Sequence, residues 1–99
     1  MLKSVVFSYA ADRDVEEIRA WYAEISPHLA QDFEESLAAT LARVVHMPDS
    51  FPSCAGQYRR VVMNDFKYLV FFRVQNDKAI VSLVIHHKRN PIHWRTRLH

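Results

Sequence analysis

Glycine is nearly absent from this chain: Gly56 is the only one in 99 residues. Phosphate-binding loops and dinucleotide-binding turns need glycines at fixed positions, because their backbones turn sharply and approach the ligand closely. A nucleophile elbow likewise needs glycines on both sides of its serine. The sequence therefore excludes the enzyme classes that depend on these motifs.

Cysteine and long apolar runs are also scarce. Cys54 is the only cysteine, which rules out an internal disulfide or a multi-cysteine zinc site and favours a reducing compartment. No apolar run approaches the roughly 20 residues of a membrane-spanning helix, and Met1-Leu2-Lys3 leads directly into a strand pattern rather than a signal peptide. We therefore expect a cytoplasmic protein, folded as a single domain over residues 1–99, with no membrane partner.

Charge is distributed unequally along the chain. Residues 1–49 contain four Lys or Arg against nine Asp or Glu, whereas residues 50–99 contain nine against two. A one-sided basic surface is typical of proteins that bind nucleic acid or an acidic protein. Solvated Lys and Arg at strand ends are the alternative explanation.

The stretch Tyr58–Arg89 predicts a three-stranded antiparallel meander, because runs rich in β-branched and aromatic residues are broken at Asn64-Asp65 and Asn76-Asp77. Two-residue loops at Asp65-Phe66 and Asn76-Asp77 would set the register of both hairpins. One face would then be mixed, with Tyr58, Arg60, Val62, Arg73, Ile80, Ser82, Val84 and His86. The other would be almost wholly apolar, with Val61, Met63, Tyr68, Val70, Phe72, Val74, Val81, Leu83 and Ile85.

The first half of the chain predicts a strand followed by two helices. The strand spans Lys3–Ser8, with Val5 and Phe7 on one face. Helical spacing then begins near Asp12 and ends about Ile25, and Ser26-Pro27 is a start signal for a second helix that runs to about His46. The fold class is α+β: an N-terminal strand, a two-helix hairpin, then the meander, with the helices packed on the apolar sheet face.

Three further expectations follow from this arrangement. Trp21, Tyr22 and Phe33 should belong to the core, because the hairpin buries its apolar stripes against the sheet. Met47–Gln57, with two prolines and the only glycine, should be a loop. The last ten residues, NPIHWRTRLH, should form a short polar tail with one helical turn after Pro91. The mixed face of the sheet would then stay open to a partner.

The histidines do not predict a metal site, and no cofactor is expected. His86, His87 and His93 are close in sequence, but neighbouring strand residues point to opposite faces and no Asp or Glu lies near them. A cluster of basic residues remains on the strands and at the exit of the sheet: Arg59, Arg60, Arg73, His86, His87, Lys88 and Arg89. Such a set suits RNA cleavage at a 2′-hydroxyl, where imidazole transfers protons and guanidinium groups bind phosphate. Alternatively, Arg73 extends to the sheet rim or pairs with a helix carboxylate.

Several segments resemble the RelE/ParE superfamily of bacterial type II toxins. FSYAADRDVEEIRAWY is similar to the family's opening strand and first helix, and DFEESLAATLARVVHMPDSFP to its second helix and the following loop. YRRVVMNDFKYLVFFRV resembles the Arg-bearing strand and its turn, and VIHHKRNPIHW resembles the terminal strand. The likeness covers nearly the whole chain, and it lies in the order and spacing of the segments rather than in one motif.

The resemblance implies a growth-inhibiting toxin that forms a hetero-oligomer with a cognate antitoxin. RelE-like members cut messenger RNA on the ribosome, and ParE-like members poison DNA gyrase without known hydrolytic chemistry. Arg59 or Arg60, Arg73, His86 and Arg89 match positions where RelE-like members keep functional basic groups. Lys67 stands where many relatives have proline, Phe72 where many have tyrosine, and no tyrosine follows Arg89, which leaves His86, or else His87, as the proton-transfer group.

Our leading hypothesis from sequence is a ribosome-dependent endoribonuclease. His86 would act as acid or base, Arg60 and Arg73 would bind the scissile phosphate, and Arg59, Lys88 and Arg89 would bind neighbouring RNA. The alternatives are a non-enzymatic gyrase poison and a degenerate toxin that only binds its antitoxin.

Overall fold

A computed structural model describes residues 1–98, and His99, the last residue of the predicted tail, lies outside the described residues. Helix α1 spans Tyr9–Ile25 and helix α2 spans Pro27–His46. Helix α1 begins three residues before Asp12, because the Ser8 hydroxyl caps it by accepting a hydrogen bond from the Ala11 amide at 3.1 Å. Ser26 caps α2 in the same way, with Pro27 at its first position, as predicted.

Five strands form one sheet in the order β1-β5-β4-β3-β2. They are β1 (Ser4–Phe7), β2 (Ser53–Ala55), β3 (Tyr58–Val62), β4 (Tyr68–Gln75) and β5 (Lys78–His86). The predicted meander β3-β4-β5 is confirmed, and β1 joins it parallel to β5. The short strand β2 lies inside the segment predicted to be a loop, and pairs with β3 where a left-handed Gly56 reverses the chain.

Both predicted hairpin registers are confirmed at the turns. Gln75 pairs with Lys78 across Asn76-Asp77, whose φ angles of 53° and 62° are those of a two-residue hairpin turn. Across the first hairpin, Val62 pairs with Leu69, which is the register that a loop at Asp65-Phe66 requires. Arg60 and Arg73 therefore share one face of the sheet, as predicted.

A β-bulge overturns the predicted faces in the second half of β5. Phe71 pairs with Leu83 and Phe72 with Val81, so Ser82 is the extra residue and every later side chain changes face. Val84 thus enters the core beside the helices, and Leu83 packs on the other side of the sheet. His86 and Ile85 follow the same inversion, so the prediction that His86 shares a face with Arg60 and Arg73 is wrong.

The main core lies between the sheet and the hairpin of α1 and α2. Phe33, Leu37 and Val44 of α2 are buried against Val70 and Phe72 of β4. Tyr22 and Phe33 belong to this core, as predicted, and pack against one another with ring centroids 5.8 Å apart. Trp21 was expected there too, but it is 56% exposed, because it lies at the rim of this core beside an open cleft.

A second, smaller core lies on the sheet face opposite the helices, called here the open face. Trp94 of the short helix α3 (Ile92–Arg95) stacks on Phe71 with ring centroids 5.0 Å apart, and Leu98 packs beside it. The helical turn after Pro91 is confirmed, but the expectation of a polar tail and a fully open face is wrong. The C-terminal segment covers the middle of that face because Phe71 and Leu83 present buried apolar side chains there.

Candidate functional site

Arg60 and Arg73 lie together on the open face. Arg60 is opposite Phe71 and Arg73 is two residues further along β4, so the two are diagonal neighbours on adjacent strands. Arg95 of α3 lies over the Trp94 ring, 5.4 Å from its centroid. Among residues 1–98, the structure records no ion pair for any of these three guanidinium groups. Arg73 instead bonds the neutral side chain of Gln75, not a helix carboxylate.

Arg59 lies on the other side of β3 and is held by the loop before β2. Its guanidinium donates to the Phe51 carbonyl at 2.6 Å and is 3.9 Å from the Asp49 carboxylate. Arg60, not Arg59, is therefore the arginine of this pair that faces outward with no recorded ion pair. The position of Arg59 indicates that it fastens the loop to the sheet.

His86 lies at the end of β5 on the helix side of the sheet. Its ring meets the Tyr68 ring edge to face, with centroids 5.3 Å apart, and its Nδ1 accepts a hydrogen bond from the Lys88 amide at 3.2 Å. Partial burial, together with the neighbouring charges of His87, Lys88, Lys67 and Arg89, lowers the pKa of His86 below its ordinary value. The structure therefore favours a neutral imidazole on the opposite face from Arg60 and Arg73.

Basic side chains surround His86 at this end of the sheet. Lys67 comes from the β3–β4 turn, whereas His87, Lys88 and Arg89 continue from β5. The Lys67 carbonyl accepts a hydrogen bond from the His87 amide at 2.8 Å, which ties the turn to the end of β5. For Lys67, Lys88 and Arg89, the described part of the chain supplies no recorded ion-pair partner. The predicted RNA-binding residues Lys88 and Arg89 are thus grouped with His86, away from Arg60 and Arg73.

An ion pair that sequence reasoning missed joins the two ends of the chain beside this cluster. Arg97 donates to both carboxylate oxygens of Asp14, at 3.2 and 2.7 Å, and Asp14 also accepts the Val84 amide at 3.1 Å. Asp14 and Arg97 are 83 positions apart, so no local pattern links them. Their contact fixes the C-terminal segment to α1 across the edge of β5.

The remaining candidate groups are not activated for acid or base chemistry. Burial, followed by the hydrogen bond and charge of Tyr22, raises the pKa of Tyr68 to about 12, so its phenol stays protonated near neutral pH. Burial also raises the pKa of the Cys54 thiol, against the opposing effect of nearby Arg60, which disfavours a reactive thiolate.

The described residues contain neither a candidate metal centre nor a helix suited to crossing a membrane. No group of three or more His, Cys, Asp or Glu side chains in residues 1–98 could hold a metal ion. Over the same residues, none of the helices combines the length and apolar character that crossing a membrane requires.

Comparison with known proteins places the chain in a family. The model of the ParE toxin of the type II toxin–antitoxin system parDE matches residues 5–91. A chain from the structure of the chromosomal ParDE TA system of P. aeruginosa shares the fold, with a TM-score of 0.74 at 16% identity over 86% of this chain and 96% of that chain. No curated protein matches the sequence. The chain therefore belongs to the ParE toxin family of type II toxin–antitoxin systems, and membership in that family implies an antitoxin partner.

Proposed function

We propose that this chain arrests growth by binding DNA gyrase, without hydrolytic chemistry of its own. One observation carries the proposal: His86 lies on the sheet face opposite Arg60 and Arg73. Cleavage at a 2′-hydroxyl needs proton transfer and phosphate neutralisation at one reacting phosphate. A group on one face of a sheet cannot reach a phosphate that is bound on the other.

The composition of the open face supports the same proposal. The strand residues of β3, β4 and β5 that face this side include Arg60 and Arg73 but no histidine or carboxylate. Such a surface attracts phosphate groups but offers no imidazole or carboxylate for proton transfer. Binding to an anionic target, such as the DNA held by gyrase or an acidic surface of the enzyme, matches this chemistry better than RNA hydrolysis does.

Three guanidinium groups surround the Phe71–Trp94 stack in this face. Arg60 and Arg73 are diagonal neighbours, so their Cα atoms are roughly 7 Å apart and their charges repel one another. Arg95 lies over Trp94 and adds a third positive charge. An anionic partner would relieve this repulsion, and the buried Trp94 would hold the surface rigid. We therefore assign target binding to Arg60, Arg73 and Arg95.

The test is a supercoiling reaction with purified gyrase and relaxed plasmid, run beside primer extension on a messenger in a purified translation system. We expect the toxin to inhibit supercoiling and to leave the messenger uncut. Arg73→Glu should weaken inhibition about tenfold or more, because it reverses a charge in the proposed binding surface. Lys3→Glu is the matched control, because Lys3 precedes β1 and is not one of the three arginines assigned to target binding, and it should inhibit like the wild type. Messenger cuts that require loaded ribosomes, with supercoiling unaffected, would replace this proposal with the endoribonuclease hypothesis.

A further inference from the structure

The second half of β5 is an unpaired strand edge. Strand β1 pairs with β5 only from Lys78 to Val81, and the chain then leaves the sheet, with the Ser8 amide donating to the Val81 carbonyl at 2.9 Å. Beyond that point no strand lies beside β5 among the described residues. At Val84, the Asp14 carboxylate takes the place of a strand partner by accepting the Val84 amide. The edge of β5 after Val84 has no such partner in the described part of the chain.

Two backbone groups of β5 at this unpaired edge are directed away from β4. The Tyr68 amide donates to the Phe66 carbonyl, and the Tyr68 carbonyl accepts from the Met63 amide. Both groups therefore point away from β5, and the pairing of Tyr68 with His86 is one of the pairs without hydrogen bonds. By the same alternation, the Val84 carbonyl and the His86 amide both point to the free edge. Within residues 1–98 the structure records no partner for either group, whereas the His86 carbonyl accepts the Arg89 amide at 3.0 Å.

The two available groups match one direction of strand pairing. In a parallel pair, one residue of the incoming strand donates to the carbonyl before its opposite residue and accepts from the amide after it. The Val84 carbonyl and the His86 amide stand in this relation to Ile85. An antiparallel partner would need both groups of a single residue, but the Val84 amide and the His86 carbonyl are already bonded. The edge is thus prepared for a strand that runs parallel to β5, as β1 does.

This edge forms the floor of a cleft of about 430 Å³, called here the C-terminal cleft. Ile18 and the exposed Trp21 of α1 form one wall, and His93 and Arg97 of the C-terminal segment form the other. The α1 wall offers apolar surface, because Trp21 is 56% exposed there. A strand in the cleft would place alternate side chains against the two walls.

The unpaired charge around the C-terminal cleft is positive. Its two carboxylates are already engaged, Asp14 by Arg97 at 2.7 Å and Glu17 by Arg13 at 3.6 Å. Arg89 lines the cleft, Lys88 donates its amide to the His86 ring, and the Lys67 carbonyl is bonded to the neighbouring His87 amide, so these three cations lie around the end of β5. An acidic partner is therefore favoured over a neutral or basic one.

We propose that the C-terminal cleft binds an extended acidic segment of another protein, which adds to the sheet as a strand parallel to β5 opposite Ile85. Apolar side chains of the segment pack on Ile18 and Trp21, and its carboxylates face Arg89 and His93. Backbone hydrogen bonds to Val84 and His86 fix its register. The site lies on the helix side and edge of the sheet, so the inference does not depend on which target the toxin inhibits.

The test uses an acetylated and amidated peptide, Glu-Leu-Glu-Leu-Glu, titrated into the isotope-labelled full chain and followed by amide NMR. We expect the amide signals of Val84, Ile85 and His86 to shift with saturation. The same peptide N-methylated at its glutamates should bind about tenfold more weakly, because it lacks the amide that donates to Val84. Arg89→Glu should weaken binding of the unmodified peptide by a similar factor. The same variant should bind a Lys-Leu-Lys-Leu-Lys peptide more tightly than the wild type does.

The control variant is Lys3→Glu, which makes the same change in charge at the other end of this sheet edge, beside the Asn76-Asp77 turn, and should alter binding by less than about twofold. Three results would each overturn the proposal: no shift at β5 at millimolar peptide, equal binding of the N-methylated peptide, or equal weakening by Lys3→Glu. Tighter binding of a single-stranded oligonucleotide in the cleft, or a chain dimer that covers Trp21, would also overturn it. A failure here leaves inhibition of gyrase untouched, so the two proposals are judged separately.

Discussion

His86 ends strand β5 with its imidazole against the Tyr68 ring, on the helix side of the sheet. The bulge at Ser82 turns it to that side, and so away from the RNase centre for which the sequence predicts it as the proton-transfer group. Its Nδ1 accepts the Lys88 amide, which only a neutral imidazole can do. In this structure, His86 joins the end of β5 to Tyr68 and to the following loop rather than to Arg60 and Arg73.

The lowered pKa of His86 predicts a dependence of stability on pH. Because the folded state binds a proton at His86 less readily than the unfolded state, the free energy of unfolding falls as the pH drops below about 6.5. The groups that face this imidazole are Tyr68, Lys67, His87, Lys88, Arg89, Glu17 and His93. His86→Gln should reduce the acid-side loss in urea denaturation measured from about pH 8 to about pH 5. The exposed His28→Gln is the control, and identical pH slopes for His86→Gln and the wild type would contradict this account.

The contact between Asp14 and Arg97 is a second effect at the scale of single residues. Asp14→Ala removes a bidentate partner of Arg97 and leaves the Val84 amide without its acceptor. We expect a loss of about 1–3 kcal/mol in the free energy of unfolding. Glu24→Ala, at an exposed site of the same helix, should change it by less than about 0.5 kcal/mol. A double-mutant cycle with Arg97→Ala should show coupling, and strictly additive losses would mean that the pair does not stabilise the fold.

At the scale of elements, helix α3 is part of the folded core rather than a loose tail. Trp94 is 8% exposed and covers Phe71, which is fully buried. Trp94→Ala should lower the free energy of unfolding by about 3–5 kcal/mol, because it removes a large aromatic side chain from a packed site. Trp21→Ala offers a matched control, since that indole is 56% exposed, and should cost at most about 1 kcal/mol. Equal effects of the two substitutions in urea denaturation would show that α3 does not seal the second core.

Local signals in the sequence predicted the elements well. Ser26-Pro27 marked the start of α2, and Asn76-Asp77 marked a hairpin turn with the correct register. The bulge was not predictable, because the run from Ile80 to Ile85 is apolar on both faces apart from Ser82 and contradicts neither register. The start of α1 was placed late because the capping role of Ser8 was not recognised.

Only part of the geometry around the candidate site residues was predicted from the sequence. Arg60 and Arg73 could be placed on one face by strand alternation, and this holds because no bulge intervenes between them. The contacts of Trp94 with Phe71 and of Arg97 with Asp14 join distant parts of the chain, so periodicity carries no information about them. Trp21 was assigned to the core as part of the apolar stripe of the hairpin, but its side chain lines an open cleft at the rim of that core.

At the scale of the whole molecule, the two layers carry opposite charge. Helices α1 and α2 contain eight of the chain's 11 carboxylates, whereas strands β1 to β5 contain none. The sheet and the C-terminal segment contain most of the basic side chains, including Arg60, Arg73, Arg95 and Arg97. This separation of charge orients an anionic partner toward the sheet side rather than toward the helices. It is consistent with target binding by the open face and with an acidic segment in the C-terminal cleft.

Under the proposed function, growth arrest depends on binding by the open face and not on proton transfer by His86. The most direct measurement is the concentration of toxin that halves gyrase supercoiling, compared for the wild type and His86→Gln. We predict equal values, within about twofold, because His86 lies on the opposite side of the sheet from Arg60 and Arg73. If the toxin does not inhibit gyrase at all, or if His86→Gln abolishes inhibition while the variant stays folded, the open face is not what arrests growth.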